Sequence, residues 1–370
     1  MSDNFSGRLA LQQRVLPAYR APFFDLLAQA CSAGLSLFAG LPRSSENIPS
    51  ADKLQIANYK LADNLHLLGG PFYLCYQKGL TSWLADWQPD VLVVEANPRY
   101  LATPSALKWM HARGRKVIGW GLGAPLPSGL LAGFRQRSWV QFLRQFDALI
   151  AYSRRGAEEY AALGFPRAKI FVAANAVSPR PRGPSPSRPS TFGPKPVLLF
   201  VGRLQARKRV DLLLRACAAL GEGAGAALKP RLVIVGDGPE KAKLASLAQK
   251  VYPSAEFVGA RHGAELKPYF DVADLFVLPG TGGLAVQQAM ANGLPVIVAK
   301  GDGTQDDLVR STNGWQIPSE DYAALVETLR FALSDVKRLR EMGKESYRIV
   351  TDEINLEKMV EVFIKALNSL

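Results

Sequence analysis

Residues 275–299 read LFVLPGTGGLAVQQAMANGLPVIVA, and this stretch determines the fold class. The apolar run Leu275–Leu278 predicts a buried strand, the glycines after it predict a loop, and Leu284–Ala291 predicts a helix that stops at Gly293. A second apolar run, Pro295–Val298, predicts the next strand. This strand–helix–strand order with continuously apolar strands is typical of a parallel sheet covered by helices on both faces.

The loop between the first strand and the helix also indicates an anion site. Gly280, Gly282 and Gly283 allow the backbone to approach a ligand closely. The N–H groups of Gly283 and Leu284 point out of the start of the helix, toward a phosphate bound there. Gln288 is one turn beyond Leu284 and on the same helix face, within reach of a group beside that phosphate.

The same alternation of strands and helices extends through most of the chain. Further strands are predicted at Leu9–Gln12, Leu35–Ala39, Val91–Glu95, Lys116–Trp120, Ala148–Tyr152, Lys169–Ala173, Val197–Val201, Leu232–Val235 and Glu256–Val258. Helices are predicted at Ala21–Ala30, Thr103–Arg113, Arg154–Leu163, Val210–Leu220 and Lys241–Lys250. From about Ser319 onward the chain reads as almost entirely helical.

A proline-rich segment divides the chain. Residues 176–196, AVSPRPRGPSPSRPSTFGPKP, contain seven prolines and no apolar periodicity, which predicts an extended linker. We therefore expect an α/β protein with a Rossmann-like domain over residues 1–175, a second over residues 197–350, and a C-terminal helix over residues 351–370 that packs back toward the first domain. Two such facing domains enclose a cleft, and ligands of open α/β sheets bind at the carboxyl ends of the strands.

A second phosphate-suited edge follows the strand at Val197–Val201. Gly202 ends this strand, Arg203 lies at its carboxyl end, and Lys208 lies at the start of the next helix. Two permanent cations beside a helix N-terminus suit a diphosphate. The alternative is that ARKR, residues 206–209, is an ordinary solvated basic turn.

These residues resemble the retaining glycosyltransferases of family four, which have the GT-B architecture of two facing Rossmann-like domains. The matching segments are VGRLQARKRVDLLLRA, RLVIVGDGPEKAKL, AEFVGARHGAELKPYFDVADLFVLPG, GLAVQQAMANGLPVIV and, in the first half, DALIAYSRRGAEEYAALGFPRAKIFVAANAV. The resemblance implies transfer of a sugar from a nucleotide-diphosphate donor, a UDP- or GDP-sugar, with retention of configuration and without a metal or other cofactor. The implied acceptors are precursors of cell-surface polysaccharide, lipopolysaccharide or glycolipid.

The resemblance also implies roles for individual residues. Arg203 and Lys208 match the pair that neutralises the leaving diphosphate. Gly283 and Leu284 match the backbone amides at the donor phosphate and sugar, and the residues near Val258 and Arg261 match the stretch that lines the nucleobase. The remaining donor-side candidates are Gly202, Gly280, Thr281, Gly282 and Gln288.

Two departures from the family pattern keep a second function open. The family usually carries two glutamates eight positions apart, and here those positions hold Gly280 and Gln288. Glutamine still hydrogen-bonds ribose hydroxyls, whereas Gly280 has no side chain to contact a sugar. The family's common N-terminal histidine is also missing, because KVIGWGLGAP offers Trp120 and Leu122 in that neighbourhood. A non-catalytic nucleotide-sugar-binding or scaffold protein is therefore the alternative to an enzyme. A Rossmann oxidoreductase is disfavoured because no GxGxxG follows the first strand.

The acceptor side is expected in the first domain. LQQRVLPAYRAPFF places Arg14, Tyr19 and Arg20 after the first strand, and VVEANPRY places Glu95, Asn97 and Arg99 at the end of another. Facing the cleft, these groups would bind an acceptor. Glu95 is the one candidate base among them, and its alternative role is to pair structurally with a nearby arginine.

The net charge of +13 indicates either an anionic partner, such as a phosphorylated small molecule or a lipid surface, or simply a soluble basic surface. Leu130–Phe146, LLAGFRQRSWVQFLRQF, interleaves arginines with aromatic residues and predicts either a helix on an anionic membrane or one that buries its aromatic stripe against the sheet. No nucleic-acid motif accompanies the charge. Three scattered cysteines and three histidines form no metal-ligand spacing. Without a signal-peptide pattern or an apolar run of about 18 residues, we expect a cytoplasmic protein, peripheral on the membrane if attached to it.

Overall fold

The structure is a computed structural model that describes residues 4–46, 48–124, 132–221, 229–282, 284–301 and 303–370. The chain forms two compact units. The first comprises Met1–Val177 together with Leu356–Leu370, and the second comprises Ser178–Asn355.

The first unit is built on an eight-stranded sheet whose strand order is β4-β3-β2-β1-β5-β6-β7-β8. Its strands are β1 (Leu9–Val15), β2 (Leu35–Gly40), β3 (Asn58–Leu67), β4 (Leu74–Lys78), β5 (Val91–Glu95), β6 (Lys116–Gly121), β7 (Ala148–Ala151) and β8 (Ile170–Val172). The helices of its N-terminal part are α1 (Ala21–Gln29), α2 (Leu80–Trp87), α3 (Thr103–His111), α4 (Ala132–Leu143) and α5 (Arg154–Ala162). All neighbouring strands are parallel except β3 and β4.

The β3–β4 hairpin was not predicted, and the expectation of an all-parallel sheet was wrong at this edge. The predicted strands are continuous apolar runs that become buried on both faces, as in Val91–Val94. By contrast, β3 alternates polar and apolar residues and leaves Leu61 and Leu65 exposed. A strand with one face in water has no buried apolar run, so apolar-run length did not reveal it.

The second unit contains a six-stranded sheet in the order β11-β10-β9-β12-β13-β14, with all neighbours parallel. Its strands are β9 (Val197–Val201), β10 (Arg231–Val235), β11 (Glu256–Gly259), β12 (Leu275–Leu278), β13 (Val296–Ala299) and β14 (Gly314–Ile317). Its helices are α6 (Val210–Leu220), α7 (Lys241–Val251), α8 (Lys267–Val272), α9 (Leu284–Ala291), α10 (Thr304–Leu308), α11 (Tyr322–Leu333) and α12 (Val336–Asp352). The short β14 was not predicted.

The proline-rich residues 178–196 belong to the second unit and are held on it by Arg188. The guanidinium of Arg188 donates to backbone carbonyls at the C-terminal ends of two helices, Phe270, Asp271 and Ala273 beside α8 and Asn292 and Gly293 after α9. Burial lowers the pKa of Arg188 from its ordinary value. Carbonyls at helix ends lack intrahelical partners, so one arginine satisfies several of them at once.

The last helix, α13 (Leu356–Asn368), belongs to the first unit. Phe363 contributes its ring to the core there, 5.0 Å from the ring of Phe23 and 4.9 Å from that of Trp120. Among the described residues, no helix is long and apolar enough to cross a membrane.

Candidate functional site

The carboxyl ends of β9 and β12 define the candidate donor site in the second unit. These strands are neighbours, yet the chain continues from β9 to one side of the sheet, through β10 and β11, and returns to the other side at β12. Such a reversal opens a crevice between the two following loops, which is where open α/β sheets bind ligands. The described parts of these loops are residues 202–209 and 279–282, within the segments predicted to hold a diphosphate.

The two loops are joined through their backbones. The N–H of Thr281 donates to the carbonyl of Arg207 at 3.0 Å, and Arg207 Nη1 donates back to the carbonyl of Thr281 at 3.3 Å. A β-carbon on Gly280 would lie 2.5 Å from the carbonyl carbon of Lys208 and would also collide with the carbonyl oxygen of Arg207. Position 280 therefore requires glycine because the 207–208 backbone fills the space of a side chain.

Lys208 lies over the same loop. A β-carbon on Gly282 would collide with Nζ of Lys208, and the φ of Gly282 is +125°, a conformation that favours glycine. Residues 202–209 contain four cationic side chains and no acid. A cationic loop against a glycine-rich turn suits a diphosphate, because charge-assisted hydrogen bonds to phosphate oxygens are short and strong.

Backbone hydrogen bonds on either side of Arg203 fix its position. Gly202 N–H donates to the carbonyl of Val235 at 3.0 Å, and Leu204 N–H donates to the carbonyl of Asp237 at 2.8 Å. Arg203 lies between these two bonds, at the carboxyl end of β9, and is partly buried. The predicted pair Arg203 and Lys208 thus shares one loop at the carboxyl edge of the sheet.

The other donor-side candidates are distributed along this edge. Leu284 begins α9, Gln288 lies one turn later and is partly buried, and Gly283 lies outside the described residues. Val258 lies in the outermost strand β11, and the exposed Arg261 follows it, donating to the adjacent carbonyl of Ala260 at 2.8 Å.

Sequence reasoning missed three residues at this site. Arg207 reaches Thr281 as described, and the fully buried Gln305 donates from Nε2 to the carbonyl of Gly282 at 3.0 Å. Gln287, next to Gln288, is also fully buried. The one available signal for Gln305 was its position after the apolar strand β13, at the same sheet edge.

In the first unit, the corresponding chain reversal lies between β1 and β5 and brings two predicted residues together. The N–H of Arg14 donates to Glu95 Oε2 at 2.7 Å, and Arg14 Nη1 forms an ion pair with Glu46 at 2.9 Å. Desolvation raises the pKa of Glu95 to about 7, although the hydrogen bond and positive charge of Arg14 act to lower it. A carboxyl group of this kind exchanges a proton near neutral pH.

The remaining acceptor-side candidates differ in how far their side chains are exposed. Tyr19 is 46% exposed and Arg99 is exposed, whereas Asn97 Oδ1 accepts the Arg99 N–H at 3.1 Å in a local turn. Arg20 does not present its side chain to a ligand as expected, since it is only 6% exposed. Its guanidinium donates to Asn175 Oδ1 at 2.6 Å and lies over the Trp120 ring, a site where aromatic faces stabilise the buried cation.

The basic aromatic helix α4 is divided between the two predicted environments. Phe142 of α4 and Phe146, three residues beyond its end, are buried in the core of the first unit, while Phe134 is 74% exposed beside the exposed Arg135 and Arg137. Leu130 and Leu131 of the predicted helix lie outside the described residues. Across the described ranges, no three His, Cys, Asp or Glu side chains come together as metal ligands.

Two protein-family models match the chain. A glycosyl transferase 4-like domain matches residues 52–176, and glycosyl transferases group 1 matches residues 186–349. A GDP-mannose-dependent alpha-mannosyltransferase of Mycobacterium tuberculosis (strain CDC 1551 / Oshkosh) is 31% identical over 300 residues, covering 73% of this chain and 73% of that protein.

A putative colanic acid biosynthesis glycosyltransferase, WcaL of Escherichia coli (strain K12), is 28% identical over 252 residues, covering 63% of this chain and 59% of the relative. Among solved structures, Anabaena Alr3699/HepE in complex with UDP superposes with a TM-score of 0.72 at 15% identity, covering 98% of this chain and 100% of that one. The two units and the superposition on the HepE structure show that the chain has the GT-B fold. The matched family models and the mannosyltransferase relative at 31% identity show that it belongs to the group 1 glycosyl transferases.

Proposed function

We propose that this protein transfers a hexose from a nucleotide-diphosphate sugar to a glycan or glycolipid acceptor, with retention of configuration. The observation that carries the proposal is the contact of Lys208 with the glycine loop 280–282 at the chain reversal of the second sheet. A GDP-hexose is the first donor to test, since the relative at 31% identity is named for GDP-mannose. The UDP complex of the HepE structure makes UDP-sugars the second set.

The proposed chemistry stabilises the leaving group. The bond between the sugar C1 and the diphosphate oxygen breaks, and the acceptor hydroxyl oxygen bonds to C1 on the same face. The hydroxyl proton passes to an oxygen of the departing diphosphate. Arg203 and Lys208 neutralise the charge that develops on that diphosphate, and fixed cations of this kind stabilise a transition state without reorganising.

Recognition of the sugar must differ from that in relatives with a glutamate at position 280. The 207–208 backbone excludes any side chain there, so loop backbone groups and Gln288 take over the hydrogen bonding in our proposal. Glu95, beside Arg14 in the first unit, is proposed to accept a hydrogen bond from the acceptor.

We further propose that the acceptor is borne on an anionic membrane and that the first unit docks to this surface. Loops after the carboxyl ends of its strands expose large apolar side chains, namely Tyr19, Leu41, Leu101 and Leu122 on separate loops and Leu68 with Phe72 on the β3–β4 connection. Exposed apolar side chains interspersed with cations such as Arg43 and Arg99 fit a lipid–water boundary.

The test is incubation of the purified protein with GDP-, UDP- and ADP-sugars, with release of free nucleotide as the readout. Slow hydrolysis without acceptor, accelerated by a lipid-linked glycan, is the expected result. A donor that binds and is never turned over, with or without acceptors, would replace this proposal by that of a non-catalytic nucleotide-sugar-binding protein.

A further inference from the structure

Gln287 hydrogen-bonds two described backbone groups from a position that core packing alone would fill with an apolar residue. It lies on α9 beside the buried Val286, and its side chain is fully buried. Its Oε1 accepts the N–H of Ser178 at 3.1 Å, and its Nε2 donates to the carbonyl of Ile354 at 2.7 Å. A neutral amide donates and accepts at once, which an apolar residue of the same size does not.

The two partners of Gln287 lie at the two ends of the second unit. Ser178 is the first residue of the second unit, and Ile354 is the last but one. They therefore stand next to the two points at which the chain passes from one unit to the other, between residues 177 and 178 and between residues 355 and 356. One buried side chain holds the backbone at both crossings.

The same side chain is mechanically linked to the donor loop. Helix α9 begins at Leu284, directly after the glycine loop, so Gln287 lies in its first turn. The loop end is fixed in turn by Gln305, which donates to the carbonyl of Gly282. A helical turn is a stiff element, so a displacement of the loop would be transmitted to Gln287.

In the first unit, the side chain of Arg20 contacts residues next to both crossings. Arg20 donates to Asn175 Oδ1 and, at 3.3 Å, to the carbonyl of Ala176, just before the first crossing. Its Nη1 also contacts the sulfur of Met359 at 3.7 Å, just after the second. Arg20 thus ties the backbone just before the first crossing and contacts a side chain of α13 just after the second.

We propose that Gln287 is a positioning residue that couples nucleotide binding at the donor loop to the backbone at both chain crossings. This inference rests on the proposed nucleotide-sugar site. Coupling of this kind is reciprocal: a nucleotide that orders the loop also protects the crossings, and loosening the crossings weakens nucleotide binding by the same factor.

The experiment measures amide hydrogen exchange at residues 175–181 and 350–356, with and without saturating GDP or UDP. Calorimetry run in parallel shows whether the nucleotide binds. We compare the wild type with Gln287→Met, which keeps the volume and loses both bonds, and with Gln287→Glu, which keeps only the acceptor toward Ser178. Asn313→Leu is the matched control, since Asn313 is another fully buried amide of the second unit, bonded to Leu308 and Ser346.

In the wild type and in Asn313→Leu, nucleotide should slow exchange at both crossings by about fivefold or more. In Gln287→Met this protection should vanish and the nucleotide Kd should rise by about the same factor. Gln287→Glu should retain protection near Ser178 alone, and it decides the matter if the Met variant does not fold. Protection of the crossings that persists in both variants, or that is absent from a wild type that binds nucleotide, overturns the inference. A wild type that binds neither nucleotide overturns the proposed function and this inference with it.

Discussion

The ammonium nitrogen of Lys208 occupies the space into which any side chain at Gly282 would have to project. The two residues are 74 positions apart, and they meet because β9 and β12 are adjacent parallel strands whose following loops share one edge. A cation is thereby held against a turn that carries no side chain at positions 280 and 282. This contact is the structural basis of the proposed grip on the donor diphosphate.

Replacing either Arg203 or Lys208 should slow sugar transfer without unfolding the protein. Lys208→Ala and Arg203→Ala are each expected to lower kcat by about two to three orders of magnitude, because each removes charge stabilisation of the leaving diphosphate. Lys243→Ala, on the exposed face of α7, is the control and should retain the wild-type rate. Rates within a few-fold of wild type for both loop variants would refute the role assigned to them.

Restoring the family's glutamate should harm this protein. Gly280→Glu places a β-carbon against the Arg207–Lys208 backbone, which must then shift away from the loop. We expect loss of the thermal stabilisation that GDP or UDP confers on the wild type. Gly69→Ala, where a β-carbon meets nothing within 4 Å, should behave as wild type. Improved nucleotide binding in Gly280→Glu would show that the Arg207–Lys208 backbone does not exclude a side chain at position 280.

The raised pKa of Glu95 predicts a specific pH dependence of stability. The folded state binds the proton more tightly than the unfolded state, whose pKa is 4.5, so the favourable contribution is complete below pH 4.5 and is lost as pH rises to about 7. Glu95→Gln, which mimics the protonated form, should therefore become more stable relative to wild type over that window, by up to about 3 kcal/mol. Urea unfolding at a series of pH values measures this, and a constant difference across the window would contradict it.

The same substitution should also alter catalysis if Glu95 contacts the acceptor. Glu95→Gln is expected to raise the KM for acceptor and to remove an inflection near pH 7 from the pH profile of kcat/KM, leaving donor hydrolysis unchanged. An unaltered profile would assign Glu95 to structural pairing with Arg14.

Arg188 should be essential to the stability of the second unit despite lying in the proline-rich segment. Arg188→Ala leaves the carbonyls at two helix ends without their donor, which we expect to cost about 2–4 kcal/mol of unfolding free energy. The exposed Arg182 of the same segment supplies the control, and Arg182→Ala should be neutral. Equal stabilities of the two variants would mean that the segment is not anchored through Arg188.

Membrane docking of the first unit predicts flotation with anionic vesicles at low salt, weakened as salt screens the cations. Phe72→Glu should reduce it several-fold, because it places a charge at one of the exposed apolar side chains of the proposed docking surface. Phe331→Glu alters a phenylalanine of the second unit that is 54% exposed, and it should leave flotation unchanged. No binding of the wild type at low salt would dismiss the proposal.

Continuous apolar runs, glycine stops and basic turns are local signals, and they sufficed to predict β9, β12, α6 and α9 with the bounds the structure has. They also placed Arg203 and Lys208 at the carboxyl edge of the sheet, where open α/β sheets bind ligands, and their contact with a ligand stays a prediction. The β3–β4 hairpin was not predicted, because the alternating pattern of a half-exposed strand is a weaker signal than a continuous run of apolar residues.

Tertiary structure alone decided which distant residues meet. That Gly280 must lack a side chain follows from the Arg207–Lys208 backbone across the crevice, and that Gln287 bonds Ser178 and Ile354 follows from where the chain enters and leaves the second unit. Arg20 was expected at a ligand and is buried for a related reason, since its aromatic neighbours come from three separate segments. Periodicity and residue type act over a few neighbouring positions, whereas these contacts depend on strand order, which brings together loops that the sequence keeps far apart.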